Sequence, residues 1–157
     1  MELSLPCGRD VIEAVLPHRD PFVWLTRIVT CEPGESCTAE LEVDCDLPLF
    51  AGHFPAHPVL PGVILMEALA QAASFCLLVG RGNEGSLGYL VGIDKARFRR
   101  QVRPGDIVTL NARIVKSTSR LCVAEVEALV DGAVCAEATQ RYVIAQTDAG
   151  TTPEARG

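Results

Sequence analysis

The feature that most constrains this chain is residues 63–79, a run that is apolar on every side of a helix and broken by Glu67 and Gln71. Pro61-Gly62 opens it, since proline suits the first turn of a helix, and Gly80-Arg81-Gly82-Asn83 stops it. A helix apolar all round must be buried on most of its surface. At this length, with Glu67 inside, the run falls short of the roughly 20 apolar residues that a bilayer span needs. It therefore reads as the centre of a globular core, and no membrane span is expected.

The rest of the chain supplies the cover. Residues 9–16 carry Val11, Ile12, Val15 and Leu16 on one helical face, ended by Pro17. Residues 22–30 and 37–43 read as a hairpin with one wet face, joined by Pro33-Gly34-Glu35-Ser36. Four strand candidates follow the long helix: 87–98, 107–116, 121–130 and 133–145. Asp131-Gly132 is a strong hairpin signal between the last two. The pattern predicts an α+β fold in one domain, residues 1–146: an antiparallel sheet wrapped around a single central helix, with a short N-terminal helix. Residues 147–157 are polar and patternless and read as a disordered tail. One sheet does not cover a helix that is apolar all round, so a second subunit is expected on its remaining face.

Composition excludes several functions. The 157 residues are 48% apolar and 22% charged, which excludes a disordered chain. Net charge is −6, from 14 Lys+Arg against 20 Asp+Glu, and argues against nucleic acid as a partner. The seven cysteines show no C-x-x-C spacing and only three histidines accompany them, so neither a zinc site nor a disulfide framework is expected. A reducing compartment follows. No positively charged start precedes an apolar run at residues 1–10, so no secretory leader is expected, and the reading is cytoplasmic.

Chemistry concentrates between Gly52 and Glu67. Residues 44–61 hold four of the ten prolines and two of the three histidines, making a stiff loop that presents side chains at set angles. His53 in that loop is the natural general base. Glu67, flanked by Leu65, Met66, Ala68 and Leu69, is expected in an apolar wall, where a carboxyl stays neutral and serves as a general acid. The bland alternative is a structural glutamate, with Gln71 one turn on hydrogen-bonding to it. His57 and His18 read as structural, with lining of an entrance to the site as the alternative for either. The N–H groups of Gly62 and Val63, at the helix N-terminus, suit a developing oxyanion. A base, an acid and an oxyanion site this close together suit proton removal beside a carbonyl, with loss or addition of water at the β carbon.

Gly52-His53-Phe54-Pro55, Pro61-Gly62-Val63 and Glu67-Ala68-Leu69-Ala70-Gln71-Ala72 closely resemble the signature of the (3R)-hydroxyacyl-[acyl-carrier-protein] dehydratases of the FabZ type. Gly92-Ile93-Asp94-Lys95-Ala96-Arg97-Phe98-Arg99-Arg100 and Pro104-Gly105-Asp106 match a second block, and the likeness runs from Leu16 to about Ile144. The resemblance implies a hotdog fold and dehydration of a (3R)-3-hydroxyacyl thioester to the trans-2-enoyl product. His53 takes the α proton, and Glu67 of the neighbouring subunit protonates the departing hydroxyl. The Gly62 amide holds the carbonyl, with Val63 beside it. It implies no cofactor, since phosphopantetheine arrives on an acyl carrier protein, and a homodimer that in the family also assembles as a hexamer. Glu in place of the Asp of the dehydratase–isomerase branch favours plain dehydration. The run Asp46–Ala51 and His57 depart from the family pattern and bear on substrate preference. Two other classes share the fold: coenzyme A-ester hydratases or thioesterases, and non-catalytic subunits of heteromeric dehydratases.

Charge is unevenly spread. Lys95, Arg97, Arg99, Arg100 and Arg103 put five of the 14 basic residues in one short stretch with no acid among them. Positions 95, 97, 99 and 103 are expected on one face of a strand, as a docking patch for an acidic carrier protein or as a solvated edge.

Overall fold

Alternating burial builds the sheet of the computed structural model, which describes residues 2–80 and 86–146. In β2 (Ser36–Glu42) the inward residues are Cys37, Ala39 and Leu41; in β4 (Ile107–Ser117) they are Val108, Leu110 and Ala112. In β5 (Leu121–Val130) Cys122, Ala124, Val126 and Ala128 continue the same face. With β1 (Arg27–Glu32), β3 (Ser86–Phe98) and β6 (Ala133–Gln146), they form a six-stranded sheet in the order β1-β2-β4-β5-β6-β3, every pair antiparallel. Asp131 and Gly132 both take positive φ, 50° and 77°, as a two-residue turn between β5 and β6 demands.

The buried face of this sheet holds α2 (Gly62–Leu78), whose residues from Leu65 onward are buried except Glu67. The predicted helix began and ended one residue later; Val79 is its cap, and Gly80 follows at φ 72°. Residues 81–83 of the expected stop signal, and the expected tail 147–157, lie outside the described residues. The short helix α1 (Arg9–Val15) stops one residue before the predicted end, at Leu16.

Two expectations need correction. Residues 22–26 are not strand: the Trp24 N–H donates to Gln71 Oε1 of α2 (2.9 Å) and the Phe22 carbonyl accepts from Gln71 Nε2 (2.8 Å). That N-terminal segment also covers the side of α2 that the sheet leaves bare. Ile12, Leu16, Val23, Trp24 and Leu25 join the same core as the helix, so a single chain buries α2 and the helix demands no second subunit. In the sheet, β3 crosses to the far edge beside β6 and does not pair with β4, its successor in sequence.

Two buried polar groups tie the sheet to the helix. Gln140 of β6 donates to the Met66 carbonyl (2.9 Å) and accepts from the Tyr142 hydroxyl. Burial, and secondarily the Glu67 carboxylate, push the Tyr142 phenol above its usual range. At the other end, Cys31 and Cys37 face each other across β1 and β2, and Cys76 of α2 reaches the Glu32 carbonyl at 3.5 Å. The hydrogen bond with Cys37, together with burial, pushes the Cys31 thiol up to about 12; the bond with Cys31, together with burial, raises Cys76 as well.

All three groups keep their protons in the native state after the unfolded chain has released them. Their contribution to stability is complete below pH 9, the ordinary thiol value, and is lost as the pH rises from there. Denaturation midpoints at about pH 8 and about pH 10.5 should therefore differ, the alkaline one being lower. Replacing Cys31 and Cys76 by alanine should shrink that difference.

Candidate active site

A short 3-10 helix (Pro48–Ala51) turns the chain into the proline-rich loop and sets His53 by its backbone: the His53 N–H donates to the Leu49 carbonyl at 3.0 Å, and the His53 carbonyl accepts from the Val59 N–H at 3.0 Å. The ring is held as firmly. Its Nδ1 lies 2.7 Å from the Val59 carbonyl, and Phe54 stacks on it at 4.2 Å between centroids. A carbonyl only accepts, so the proton of a neutral imidazole sits on Nδ1 and Nε2 keeps its lone pair. This is the tautomer a general base needs.

Leu60 is pinned by its N–H to the Val102 carbonyl (2.8 Å), and α2 begins two residues later. The Pro61 carbonyl accepts from Ile64 and Leu65, while the N–H groups of Gly62 and Val63 precede any helical acceptor. Both residues line an open groove of about 470 Å³, together with Phe98, Arg99 and Arg100. Phe98, an exposed ring that the sequence did not single out, lies so close over Gly62 that a Cβ there would stand 2.6 Å from its Cε1. Any side chain at 62 would thus displace the Phe98 ring.

Glu67 does not sit in a purely apolar wall. Its side chain is 24% exposed, and Oε1 has two polar neighbours: Gln71 Nε2 at 3.0 Å and His18 Nε2 at 3.5 Å. The i+4 bond from Gln71 is as the spacing suggested. His18, read as structural, stands beside Glu67, with its Nδ1 buried and unpartnered. Leu16-Pro17-His18 is the sequence signal that carried this, but the contact spans 49 positions and no local pattern exposes it. Glu67 lies five positions beyond Gly62, about 140° around the helix axis, and faces the N-terminal segment while Gly62 faces Phe98. Among the described residues no hydrogen bond or ion pair joins His53 to Glu67 within one chain. His57 is exposed, 3.2 Å from the Gln101 side chain.

The basic residues do not form one strand face. The register of β3 slips between Asp94 and Arg97, Lys95 takes φ 54°, and the strand ends at Phe98, so the alternation breaks inside the cluster. Lys95 turns toward a polar groove on the outer sheet face beside Glu137 and Thr139. Arg97 donates to the Ala96 carbonyl, and Arg99 pairs with Glu137 at 2.6 Å. Arg100 and Arg103 line a pocket with Gln101 and Asp106. Among the described residues no group of three or more His, Cys, Asp or Glu is placed to hold a metal.

A FabA-like domain model matches residues 16–139. The chain is 42% identical over 133 residues to the 3-hydroxyacyl-[acyl-carrier-protein] dehydratase FabZ of Ruminiclostridium cellulolyticum, spanning 85% of this chain and 94% of that protein. It is 40% identical over 135 residues to the FabZ of Oceanobacillus iheyensis, spanning 86% and 96%. Among solved structures it superposes on a chain of the dehydratase heterocomplex ApeI:P from Xenorhabdus doucetiae with a TM-score of 0.73, at 21% identity and 94% coverage of each. Cj0977, a sigma28-regulated virulence protein from Campylobacter jejuni, matches with a TM-score of 0.65, at 15% identity over 90% of this chain and 93% of its own. These structural likenesses bear on the fold, which is the hotdog arrangement of a sheet around one helix.

The crowding at Gly62 yields a direct test. Gly62→Ala should melt within a few degrees of the parent, because the exposed Phe98 ring can swing aside. It should still lower kcat/KM by about tenfold or more, since the added methyl and displaced ring reshape the groove at the amide. Steady-state kinetics beside a thermal melt decide it.

Proposed function

The chain belongs to the FabA-like family, and on that premise we propose the reaction it runs and the residues that run it. It is a hydro-lyase that dehydrates 3-hydroxyacyl-acyl-carrier-protein to the 2-enoyl thioester. The observation that carries the assignment of roles is the bond between His53 Nδ1 and the Val59 carbonyl, which leaves Nε2 free to accept. His53 Nε2 takes the proton from the carbon next to the thioester carbonyl. The N–H groups of Gly62 and Val63 hold the carbonyl oxygen as negative charge gathers on it. Glu67 gives a proton to the hydroxyl at C3, the C3–O bond breaks, and water departs as the double bond forms. Addition of water in the reverse direction returns both protons. The chemistry needs no metal or redox cofactor; phosphopantetheine comes with the substrate. One catalytic domain, residues 1–146, holds these parts.

His53 and Glu67 act together only if one comes from a neighbouring chain, because within a chain they face different surroundings. The edge strand β3 supports a homodimer, hexamers being repeats of it. It is bonded on one side only, by β6, and exposes Tyr89, Val91 and Ile93. Arg99 and Arg100 support carrier docking: they flank the groove that reaches the Gly62 and Val63 amides, where a phosphopantetheine arm must end. Lys95, Arg97 and Arg103 add charge around it. No helix among the described residues is long and apolar enough to cross a membrane. All seven cysteines are free thiols, which supports the cytoplasm as its location.

Turnover of a (3R)-3-hydroxybutyryl carrier-protein thioester, followed by the ultraviolet absorbance of the enoyl product, tests the reaction. The parent should be active, and His53→Ala and Glu67→Gln should each lose about a thousandfold or more while folding normally. A Glu67→Gln variant at parental rate would remove Glu67 as the acid. Changing Arg97, Arg99 and Arg100 to Glu should raise KM for the carrier-bound substrate and leave a small thioester mimic nearly untouched. Equal losses on both substrates would remove the docking role.

A further inference from the structure

Both polar neighbours of the Glu67 carboxyl meet the same oxygen. Gln71 Nε2 donates to Oε1 at 3.0 Å and His18 Nε2 lies 3.5 Å from it, while no described residue hydrogen-bonds to Oε2. Gln71 is 1% exposed, and its amide has no choice of orientation. The Trp24 N–H donates to Oε1 of Gln71 at 2.9 Å, so the amide oxygen must face Trp24. The amide nitrogen then spends its two hydrogens on the Phe22 carbonyl (2.8 Å) and on Glu67. The flipped amide would set N–H against N–H at Trp24 and oxygen against oxygen at both other contacts.

A carboxylic acid that accepts a hydrogen bond on one oxygen carries its proton on the other. From this we propose that Gln71 is a positioning residue that assigns the two oxygens of Glu67, holding Oε1 as the acceptor and leaving the acidic proton on Oε2 for the reacting hydroxyl. The inference rests on Glu67 being the acid, as read above. In the elimination, the proton moves from Glu67 Oε2 to the C3 hydroxyl oxygen, the C3–O bond breaks and water leaves. The electron pair of the broken Cα–H bond becomes the double bond, and the α proton rests on His53 Nε2. The carboxylate left on Glu67 gains from the same Gln71 N–H, because a hydrogen bond to a charged acceptor is about twice as strong as one to a neutral acceptor. Gln71 thus lets the proton go as well as aiming it. Its other two bonds tie the acid to the backbone at Phe22 and Trp24, so the N-terminal segment shares in setting the acid's position.

The test is a double-mutant cycle on the full-length enzyme, with melts recorded alongside. Gln71→Met keeps the volume and removes the amide. In the parent it should lower kcat by about tenfold or more with KM within about twofold. In the Glu67→Gln background, where no acid remains to be aimed, the same change should alter the residual rate by less than about twofold. If Gln71→Met does not melt cooperatively, Gln71→Glu takes its place, because its carboxyl keeps the Trp24 bond and the size. Its shared proton would sit on Oε1 of Glu67, and kcat should fall to a similar extent. Equal losses in both backgrounds mean a merely structural role and overturn the inference. So does an unchanged kcat in Gln71→Met beside an inactive Glu67→Gln. A Glu67→Gln enzyme at parental rate is a different failure, that of the acid assignment itself.

Discussion

Burial of α2 from both sides is the constraint on which the rest of the structure depends. A helix this apolar is stable only with the sheet on one flank and the N-terminal segment on the other. Gln71 is a polar exception inside that contact, and its amide is used completely. It satisfies the backbone of Phe22 and Trp24, which in a strand would have been satisfied by a neighbouring strand, and it holds Glu67. Loss of the bond would leave the buried Trp24 N–H without a partner, which is expensive by about 1–3 kcal/mol. Glu67 is therefore set by the same packing that closes the core.

The other functional groups stand at the rim of this frame, and each is set by backbone. His53 is fixed by three hydrogen bonds, two of its main chain and one of its ring, to Leu49 and Val59. Gly62 and Val63 offer N–H groups because a helix begins there and Pro61 supplies acceptors for the next two residues only. Backbone-held groups move little, and reaction at a carbonyl gains most from donors that need no rearrangement. The proline content of residues 44–61 serves that rigidity.

Much of this was legible before any coordinates. The central helix followed from Pro61-Gly62 and the apolar run, the β5–β6 hairpin from Asp131-Gly132, and the candidates for base, acid and amide donor from their closeness in sequence. What escaped depends on distant contacts. Residues 22–26 have the composition of a strand, but Gln71, 47 positions away from Trp24, captures their backbone. His18 is a loop histidine until the fold brings it to Glu67. The basic face expected over 95–103 assumed an unbroken period of two, which the bulge near Lys95 destroys. The expected second subunit was inferred from the helix, whose bare flank the chain covers itself. The support for it now lies on the β3 edge instead.

In the proposed site, His53 of one chain and Glu67 of another act together. Co-refolding differently tagged His53→Ala and Glu67→Gln chains, each inactive alone, measures this directly. Every mixed dimer would hold one site with both groups intact and one with neither. Random pairing of equal amounts then predicts about a quarter of the parental rate. A preparation that contains mixed dimers by mass spectrometry, yet stays as inactive as its components, would contradict the account.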